Sequence, residues 1–363
     1  MLRAYGHDVF QYCVHNDAIH TMGRLQLALR TVWSRPAHYE IRELIREHRP
    51  QVAHFNNTFP LISPAAYYAA REEKVGVVQT LHNFRLLCPN ALFFRAGQVC
   101  EDCLGRTIPW PGIVHKCYRD SRVASTGVAT MLATHRALGT WRNAVDAYVA
   151  LTAFSRGKFV AGGLPADKLL VKSNFVYPDP GPGAGTGNYG VFVGRLSAEK
   201  GIETLLKAWQ SLGSRVPLKI VGDGPLAETV RAAAAQRAGV EWLGIKPLSE
   251  VYALIGEAAF LVLPSQCYEN FPRVVIEAFA KGTPVIASRL GAMAEVIDHD
   301  RTGLHFEPGD ALDLAMKVRS LVDDPLQQGR MRRAAREEFE AKYTAESNHR
   351  TLMGIYEQAL SVR

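Results

Sequence analysis

The feature that most constrains this 363-residue chain is an alternation of short apolar runs with helix-length segments. In the second half the runs fall at residues 189–193 (YGVFV), 218–221 (LKIV), 240–243 (VEWL), 260–263 (FLVL) and 284–287 (PVIA). Near-continuous Val, Ile and Leu over four or five residues marks strands buried on both faces. The intervening segments 202–212, 226–238, 248–258 and 273–281 are predicted helices. Strand and helix in strict alternation mean a parallel sheet with crossover helices. The first half repeats the pattern, with predicted strands near residues 8–13, 51–55, 75–81 and 147–151. Residues 311–363 read as helical and charged. The fold class expected is therefore α/β, with two doubly wound, Rossmann-like domains facing a cleft. In such sheets ligands bind beyond the carboxyl ends of the strands.

The boundary between the halves is marked by residues 178–187 (PDPGPGAGTG), where seven of ten residues are Pro or Gly. Such a stretch sustains neither a helix nor a central strand. The division expected is residues 1–172 for the first domain, 173–188 for a linker and 189–335 for the second domain. A C-terminal helix over 336–363 is expected to pack back on the first domain. Net charge is uneven. Residues 1–172 carry 21 Lys and Arg against 12 Asp and Glu, and the remainder carries 21 against 23. The basic residues are dispersed, without a nucleic-acid motif, so no nucleic-acid partner is expected. A basic first half suits salt-sensitive docking on an anionic membrane surface. No run of about 18 apolar residues appears, and the N-terminus has no apolar signal-peptide core. The location expected is the cytoplasm, at the inner face of the membrane.

Chemistry concentrates at two predicted strand ends. Residues 191–193 run into Gly194 and Arg195, with Lys200 and Gly201 just before the next helix. This places a guanidinium and an ammonium at a carboxyl end, where Gly194 permits close backbone approach. The strand at 260–263 ends in Pro264 and Ser265. Glu269, Asn270, Phe271 and Pro272 then lead into a helix that carries Glu277 in its second turn. Pro272 suits the first helical turn, and Asn270 or Ser265 is placed to cap it. Free amides and the positive end of the dipole make that helix start an anion site. Two carboxylates beside it are poor company for a phosphate alone. They make sense if the ligand also offers hydroxyls for them to accept, as a phosphate flanked by sugars does.

These residues resemble a known family. GRLSAEKG at residues 194–201 and the E-x7-E pair within YENFPRVVIEAFAKGTPVIAS look like the retaining glycosyltransferases of family 4, which have the GT-B fold. The resemblance runs through the second half and extends into HFNNTFPLISPAAYY, TLHNFRLLCPN and ALTAFSRGKFV of the first. It implies transfer of a sugar from a nucleoside-diphosphate sugar to a saccharide or lipid-linked saccharide acceptor, in cell-surface polysaccharide or glycoconjugate synthesis. It assigns Arg195 and Lys200 to the donor diphosphate, Glu269 to donor-sugar hydroxyls and Glu277 to the ribose. The amides of Asn270 and Phe271 would hold phosphate. Gly194, Leu243, Gly244 and Lys246 would border the donor, and His82 would lie near donor sugar and acceptor. His82 is followed by Asn83, where many relatives carry Asp. The chemistry implied is front-face retaining transfer without a catalytic metal or other cofactor. A GT-B epimerase or phosphorylase is disfavoured by the two motifs. A non-catalytic nucleotide-sugar-binding remnant is the competing reading.

Against the family pattern, the first strand and its glycine-rich loop are absent before MLRAYGHDV. The expectation is that the first domain lacks its central strand, with poor solubility and weak turnover as a result. Finally, Cys88, Cys100, Cys103 and Cys117 lie within thirty residues, Cys100 and Cys103 as C-x-x-C. The spacing permits a four-thiolate zinc site. Reduced thiols packed as small apolar groups are the equal alternative.

Overall fold

The computed structural model describes residues 1–236 and 239–361. The chain divides into two compact units. One comprises Met1–Arg95, Cys100–Ser173 and His349–Arg363; the other comprises Ala96–Val99 and Asn174–Asn348.

The first unit is built on a parallel sheet of β1 (Val52–Phe55), β2 (Gly76–Thr80), β5 (Ala147–Ala150) and β6 (Leu169–Val171), in the order β1-β2-β5-β6. A hairpin of β3 (Phe94–Arg95) and β4 (Gln98–Val99) lies in the long connection between β2 and β5. Every residue of β2 and β5 is buried, as central parallel strands require. The helix Arg35–His48 buries Ala37, Ile41 and Ile45, one stripe at four-residue spacing. Ser34 caps it by accepting from Ala37 N. Ile355 and Ala359 of the helix Ala345–Ser361 pack on Val78, Ala147 and Val149. Two helices, Pro325–Lys342 and Ala345–Ser361, stand where one was expected over 336–363.

Residues 8–13 do not form the expected strand. They have no regular structure, and Phe10 leaves the chain to stack on His48. Val9, Phe10 and Tyr12 favour extended backbone, but a strand exists only where a neighbour completes its ladder. No ladder reaches them or the outer edge of β1 among the described residues. The short strand β6, which pairs with β5, was not expected from sequence.

His54 in the edge strand β1 is a half-buried reporter of this unit. Its ring nitrogens lie 2.7 Å from the Tyr356 hydroxyl and 2.6 Å from Thr80 Oγ1. Burial first, then the charges of Lys172 and His82, hold its pKa down to about 4. Burial likewise lowers His135 and His305. Between about pH 6.5 and 4 the unfolded chain takes up protons that the folded chain refuses. Stability is therefore complete above that window and falls as pH drops through it. At 1.36 kcal/mol per unit, His54 alone contributes at most about 3 kcal/mol. Thermal denaturation from pH 7.5 to 4.5 checks this, and His54→Gln should flatten the slope. An unchanged slope in the variant contradicts the assignment.

The second unit is a six-stranded parallel sheet of β7 (Gly190–Val193), β8 (Leu218–Val221), β9 (Val240–Gly244), β10 (Phe260–Leu263), β11 (Val285–Ser288) and β12 (Gly303–Phe306). The order is β12-β11-β10-β7-β8-β9. The chain steps outward from β7 to β9, then returns to β10 on the other side of β7. That reversal is a topological switch point. The helix Ile202–Leu212 buries Ile202, Leu205, Leu206, Trp209 and Leu212, the 3.6-residue stripe that covers the sheet. Trp209 Nε1 donates to Val216 O at 2.8 Å, so its one polar atom is satisfied within the core. The predicted helix 226–238 is observed as Ala227–Gln236, its last two residues lying outside the described ones. The strand β12 was missed in the sequence.

The Pro and Gly-rich stretch 178–187 has no regular structure, yet it is fastened along the second unit. Gly183 N donates to Lys281 O, Gly185 N to Gly256 O and Gly187 N to Glu257 O. Arg336 grips Asp179 with both terminal nitrogens.

Candidate functional site at the switch point of the second unit

Neighbouring strands β7 and β10 end side by side at the switch point. The loop after β7 carries Gly194, Arg195 and Lys200. The loop after β10 carries Ser265, Glu269 and Asn270. Two backbone approaches hold this edge together. Gly201 has φ +71, and a Cβ there would lie 1.8 Å from Pro264 O. Only glycine lets the turn before the helix Ile202–Leu212 press against the end of β10. Gly222, at φ +130, plays the same part after β8: a Cβ would lie 2.0 Å from Gly194 O. Gly194 itself has room for a Cβ, whose nearest neighbour would be Phe192 at 3.4 Å. The close approach expected at Gly194 is thus made to its carbonyl and depends on Gly222.

Lys200 and Glu269, 69 residues apart in sequence, form an ion pair with Nζ 2.6 Å from Oε1. Ser265 Oγ donates to the same oxygen at 2.7 Å. Burial works against the Lys200 ammonium, but Glu269 outweighs it, so the pKa is raised and the lysine stays charged. The pair spends one of the three ammonium donors and leaves two. Arg195 is exposed and makes no side-chain hydrogen bond or ion pair among the described residues. A free guanidinium therefore stands beside a half-buried ammonium.

The helix Arg273–Ala280 differs from expectation at its start. Pro272 is the N-cap residue rather than a member of the first turn, and no side chain among the described residues caps the helix. Ser265 is committed to Glu269 instead. Its fixed φ places Pro272 equally well just outside the helix, which spacing alone does not distinguish. The first-turn amides thus lack side-chain acceptors. Asn270 and Phe271 are buried immediately ahead of them. Glu277 faces inward, with its side chain 12% exposed, and reaches Arg273 at 3.5 Å. Burial raises its pKa and Arg273 partly offsets the rise. Its only charged partner among the described residues is Arg273, so Glu277 does not join the Lys200–Glu269 pair.

Leu243 and Gly244 close β9, the edge strand two positions from β7, and Gly244 O accepts from Gly222 N. Lys246, just beyond, pairs with Glu250 at 3.2 Å on the surface. Sequence reasoning missed three contributors. Glu199 O accepts from Gln266 N, Gln266 Nε2 donates to Thr204, and buried Cys267 adjoins Lys200. Each is a contact between segments more than sixty residues apart in sequence.

In the first unit, His82 follows β2 and is exposed, with Nε2 3.0 Å from Asn56 Oδ1. Asn83, in place of an acid, accepts from Arg85 N and forms a local turn. His82 borders a shallow recess with Asn56, Asn57, Thr58 and Arg85. Arg85 lies between the rings of Phe59 and Tyr118, 4.6 and 4.8 Å from their centroids. The four loop cysteines also converge, lining one small cavity. Burial raises the pKa of Cys88, Cys103 and Cys117, that of Cys103 to about 12, so the thiols are protonated.

Two parallel sheets, the second doubly wound, agree with the GT-B fold, and the overall likeness to solved structures bears this out. The chain aligns with Anabaena HepE in complex with UDP-glucose at a TM-score of 0.66 and 17% identity, covering 88% of this chain and 82% of that one. It aligns with sucrose-phosphate synthase from Thermosynechococcus elongatus at a TM-score of 0.67 and 18% identity, covering 90% and 78%. At these identities the likeness establishes the fold. Residues 180–338 match the family Glycosyl transferases group 1. Glycogen synthase of Mycobacterium tuberculosis is 36% identical over 160 residues, which span 42% of this chain and 38% of the synthase. The chain thus matches less than half the length of that relative.

Proposed function

We propose that this chain is a retaining glycosyltransferase that takes its sugar from a nucleoside-diphosphate donor. The observation that carries this is the Lys200–Glu269 pair at the switch point, with free Arg195 and an uncapped helix start beside it. Arg195 and the two spare Lys200 donors bind the diphosphate as its charge grows on bond cleavage. The Arg273–Ala280 amides supply neutral donors to the same group. Glu269, held by Ser265 as well as Lys200, keeps acceptor capacity for a sugar hydroxyl. Glu277, buried and turned inward, is suited to a ribose hydroxyl. Gly194, Leu243, Gly244 and Lys246 line the way toward the nucleobase.

In this reading the acceptor hydroxyl attacks from the face the diphosphate is leaving. The leaving phosphate oxygen takes the hydroxyl proton, so the bond to the anomeric carbon is exchanged with retention. Fixed cations neutralise the leaving group, the part a divalent metal plays elsewhere. His82 and the recess at the end of β2 belong to the acceptor side. UDP-glucose in the HepE complex and the synthase relative support a nucleotide-sugar donor. The acceptor proposed is a saccharide or lipid-linked saccharide of cell-surface polysaccharide synthesis. The basic first half supports docking from the cytoplasm on an anionic membrane. No described helix is long and apolar enough to cross a membrane.

Arg195→Ala separates binding from folding. Arg195 has no partner to lose, so thermal stability should change by less than about 0.5 kcal/mol. Loss of a charge-assisted contact should weaken nucleoside-diphosphate binding by about tenfold or more. Unchanged affinity contradicts the role. The function itself is tested by incubating the chain with UDP-, GDP- and ADP-sugars and measuring nucleoside-diphosphate release, with and without a mixed saccharide acceptor pool. One donor should be consumed and its anomeric configuration kept in the product. Inversion, or no release from any donor, overturns the reading.

A further inference from the structure

The long connection between β2 and β5 has no part in the switch-point site, yet it holds the densest cluster of soft ligands in the chain. Cys88, Cys100, Cys103 and Cys117 come from four points along it. All four line one small cavity, with Arg95 and Asp102 at its wall. We infer that these four cysteines are the ligands of one structural zinc ion.

Convergence is the first argument. Separations of eleven, two and thirteen residues bring four sulfurs to one cavity, and each arrives by a different local device. Cys88 N donates to Phe84 O, in a turn closed by Ala91 N bonding back to Cys88 O. Cys100 follows the β3–β4 hairpin, and its N donates to Phe93 O at 2.8 Å. Cys103 is returned by the turn that Leu104 N closes on Glu101 O. Cys117 N donates to Gly112 O after the five-residue helix Trp110–Val114. Packing alone would ask only for small apolar groups, and it would not require all four to be cysteine.

The second argument is backbone cost. Regular structure between Cys88 and Cys117 is limited to two-residue strands and one short helix. Six of the chain's ten non-glycine residues with positive φ among the described ones lie in or just beyond this segment: Ala91, Phe93, Ala96, Lys116, Arg119 and Asp120. Such conformations cost of order 1 kcal/mol each or more and persist only where something else holds the chain. A metal tie across the segment supplies that restraint. Its binding energy is folding energy for a loop too poor in core to hold itself.

The third argument is charge. Zinc with four thiolates carries a formal charge of −2, which an uncharged pocket would not tolerate. Here Arg85 lies near enough to act on Cys88, Arg136 on Cys103 and Arg95 on Cys117, although Arg95 is paired with Asp102 at 2.7 Å, which acts against it. Arg85 and Arg136 have no acidic partner among the described residues, so they are available as counter-charges.

As the side chains stand, no group of three or more His, Cys, Asp or Glu among the described residues is placed to hold a metal ion. Two thiols are turned to local acceptors instead. Cys88 Sγ donates to Asn90 Oδ1 at 2.9 Å, and Cys103 Sγ points its proton to Pro109 O at 3.8 Å. These are contacts of protonated thiols. Zinc entry replaces four S–H bonds by four Zn–S bonds and releases four protons to solvent, with no change of oxidation state. It asks for rotation of side chains that already line one cavity. All six cysteines are unpaired, so no disulfide competes in this arrangement. Tetrahedral thiolate coordination suits zinc, which imposes no geometry of its own and undergoes no redox change.

The test uses the full chain, expressed with zinc in the medium and purified under reducing conditions without a histidine tag or chelator. Elemental analysis should find about one zinc per chain. After removal of zinc, added cobalt(II) should give the intense sulfur-to-cobalt charge-transfer absorption of a thiolate site. Cys100→Ser/Cys103→Ser should fall below about a tenth of an equivalent, whereas Cys13→Ser should keep its zinc. The double variant can fail to fold, so the wild-type chain decides. Zinc below about a tenth of an equivalent with no cobalt spectrum overturns the inference. Bound iron in place of zinc, or a Cys100–Cys103 disulfide in metal-free protein, overturns it equally. None of these readings depends on glycosyl transfer.

Discussion

Lys200→Ala should leave the chain folded and lower glycosyl transfer by about two to three orders of magnitude. Two features set the size of this effect. The ammonium is the half-buried cation at the switch point, so its charge acts in a less screened setting than that of exposed Arg195. It also positions Glu269, whose oxygen it holds at 2.6 Å. Removing Lys200 therefore removes charge neutralisation and loosens the acid proposed to hold the donor sugar. The fold should survive because Glu269 keeps Ser265 and its side chain is 13% exposed, enough to draw in water. Steady-state rates and thermal denaturation, run on the same preparation, check both halves. Near-native turnover refutes the assignment of Lys200. A collapsed melting transition would make the loss of rate uninformative, and Lys200→Gln, which keeps a donor in place, then separates folding from charge.

The largest structural effect is expected at Gly201. Gly201→Ala places a methyl 1.8 Å from Pro264 O at φ +71. Neither obstacle yields easily, because one is backbone and the other is the left-handed conformation itself. The expected cost is about 2–4 kcal/mol. At roughly 2–4 °C per kcal/mol, the melting temperature should fall by some 4–16 °C. Gly6→Ala is the control. Gly6 is also left-handed, with nothing within 4 Å of the added methyl. It should cost only the conformational part, about 1 kcal/mol. Equal losses in the two variants would show that contact with Pro264 does not hold the switch point together.

The second unit was legible in the sequence wherever a strand lies inside the sheet. β7, β8, β10 and β11 lie inside the sheet and are mostly buried on both faces, so each reads as a short, near-continuous apolar run. β12 carries His305 in four residues, and β6 has only three, so neither has a periodicity to detect. Residues 8–13 show the opposite failure: Val9, Phe10 and Tyr12 favour a strand, but a strand needs a partner, and pairing is not written in the strand itself. At the site, the residue types and strand-end positions of Arg195, Lys200, Glu269 and Glu277 were readable. The partner of Lys200 was not. That Lys200 meets Glu269 is a contact between loops 69 residues apart, brought together where Gly201 presses on Pro264, whereas Glu277 meets Arg273 at i,i+4 spacing within one helix. The same holds for Ser265, which was placed as a helix cap and instead braces the acid. The convergence of four cysteines is likewise a property of the folded loop; spacing alone left zinc and simple packing equal.

The central claim is that the switch point between β7 and β10 grips the diphosphate of a nucleotide. Calorimetric titration of the full chain with UDP, GDP and ADP addresses it without an acceptor or turnover. One nucleotide should bind at a single site per chain, and at a hundredfold excess over the dissociation constant so measured it should raise stability by about 2.7 kcal/mol. The Arg195→Ala/Lys200→Ala double variant, still folded, should lose that heat. Absence of binding by all three nucleotides, or equal binding by the double variant, would contradict the account.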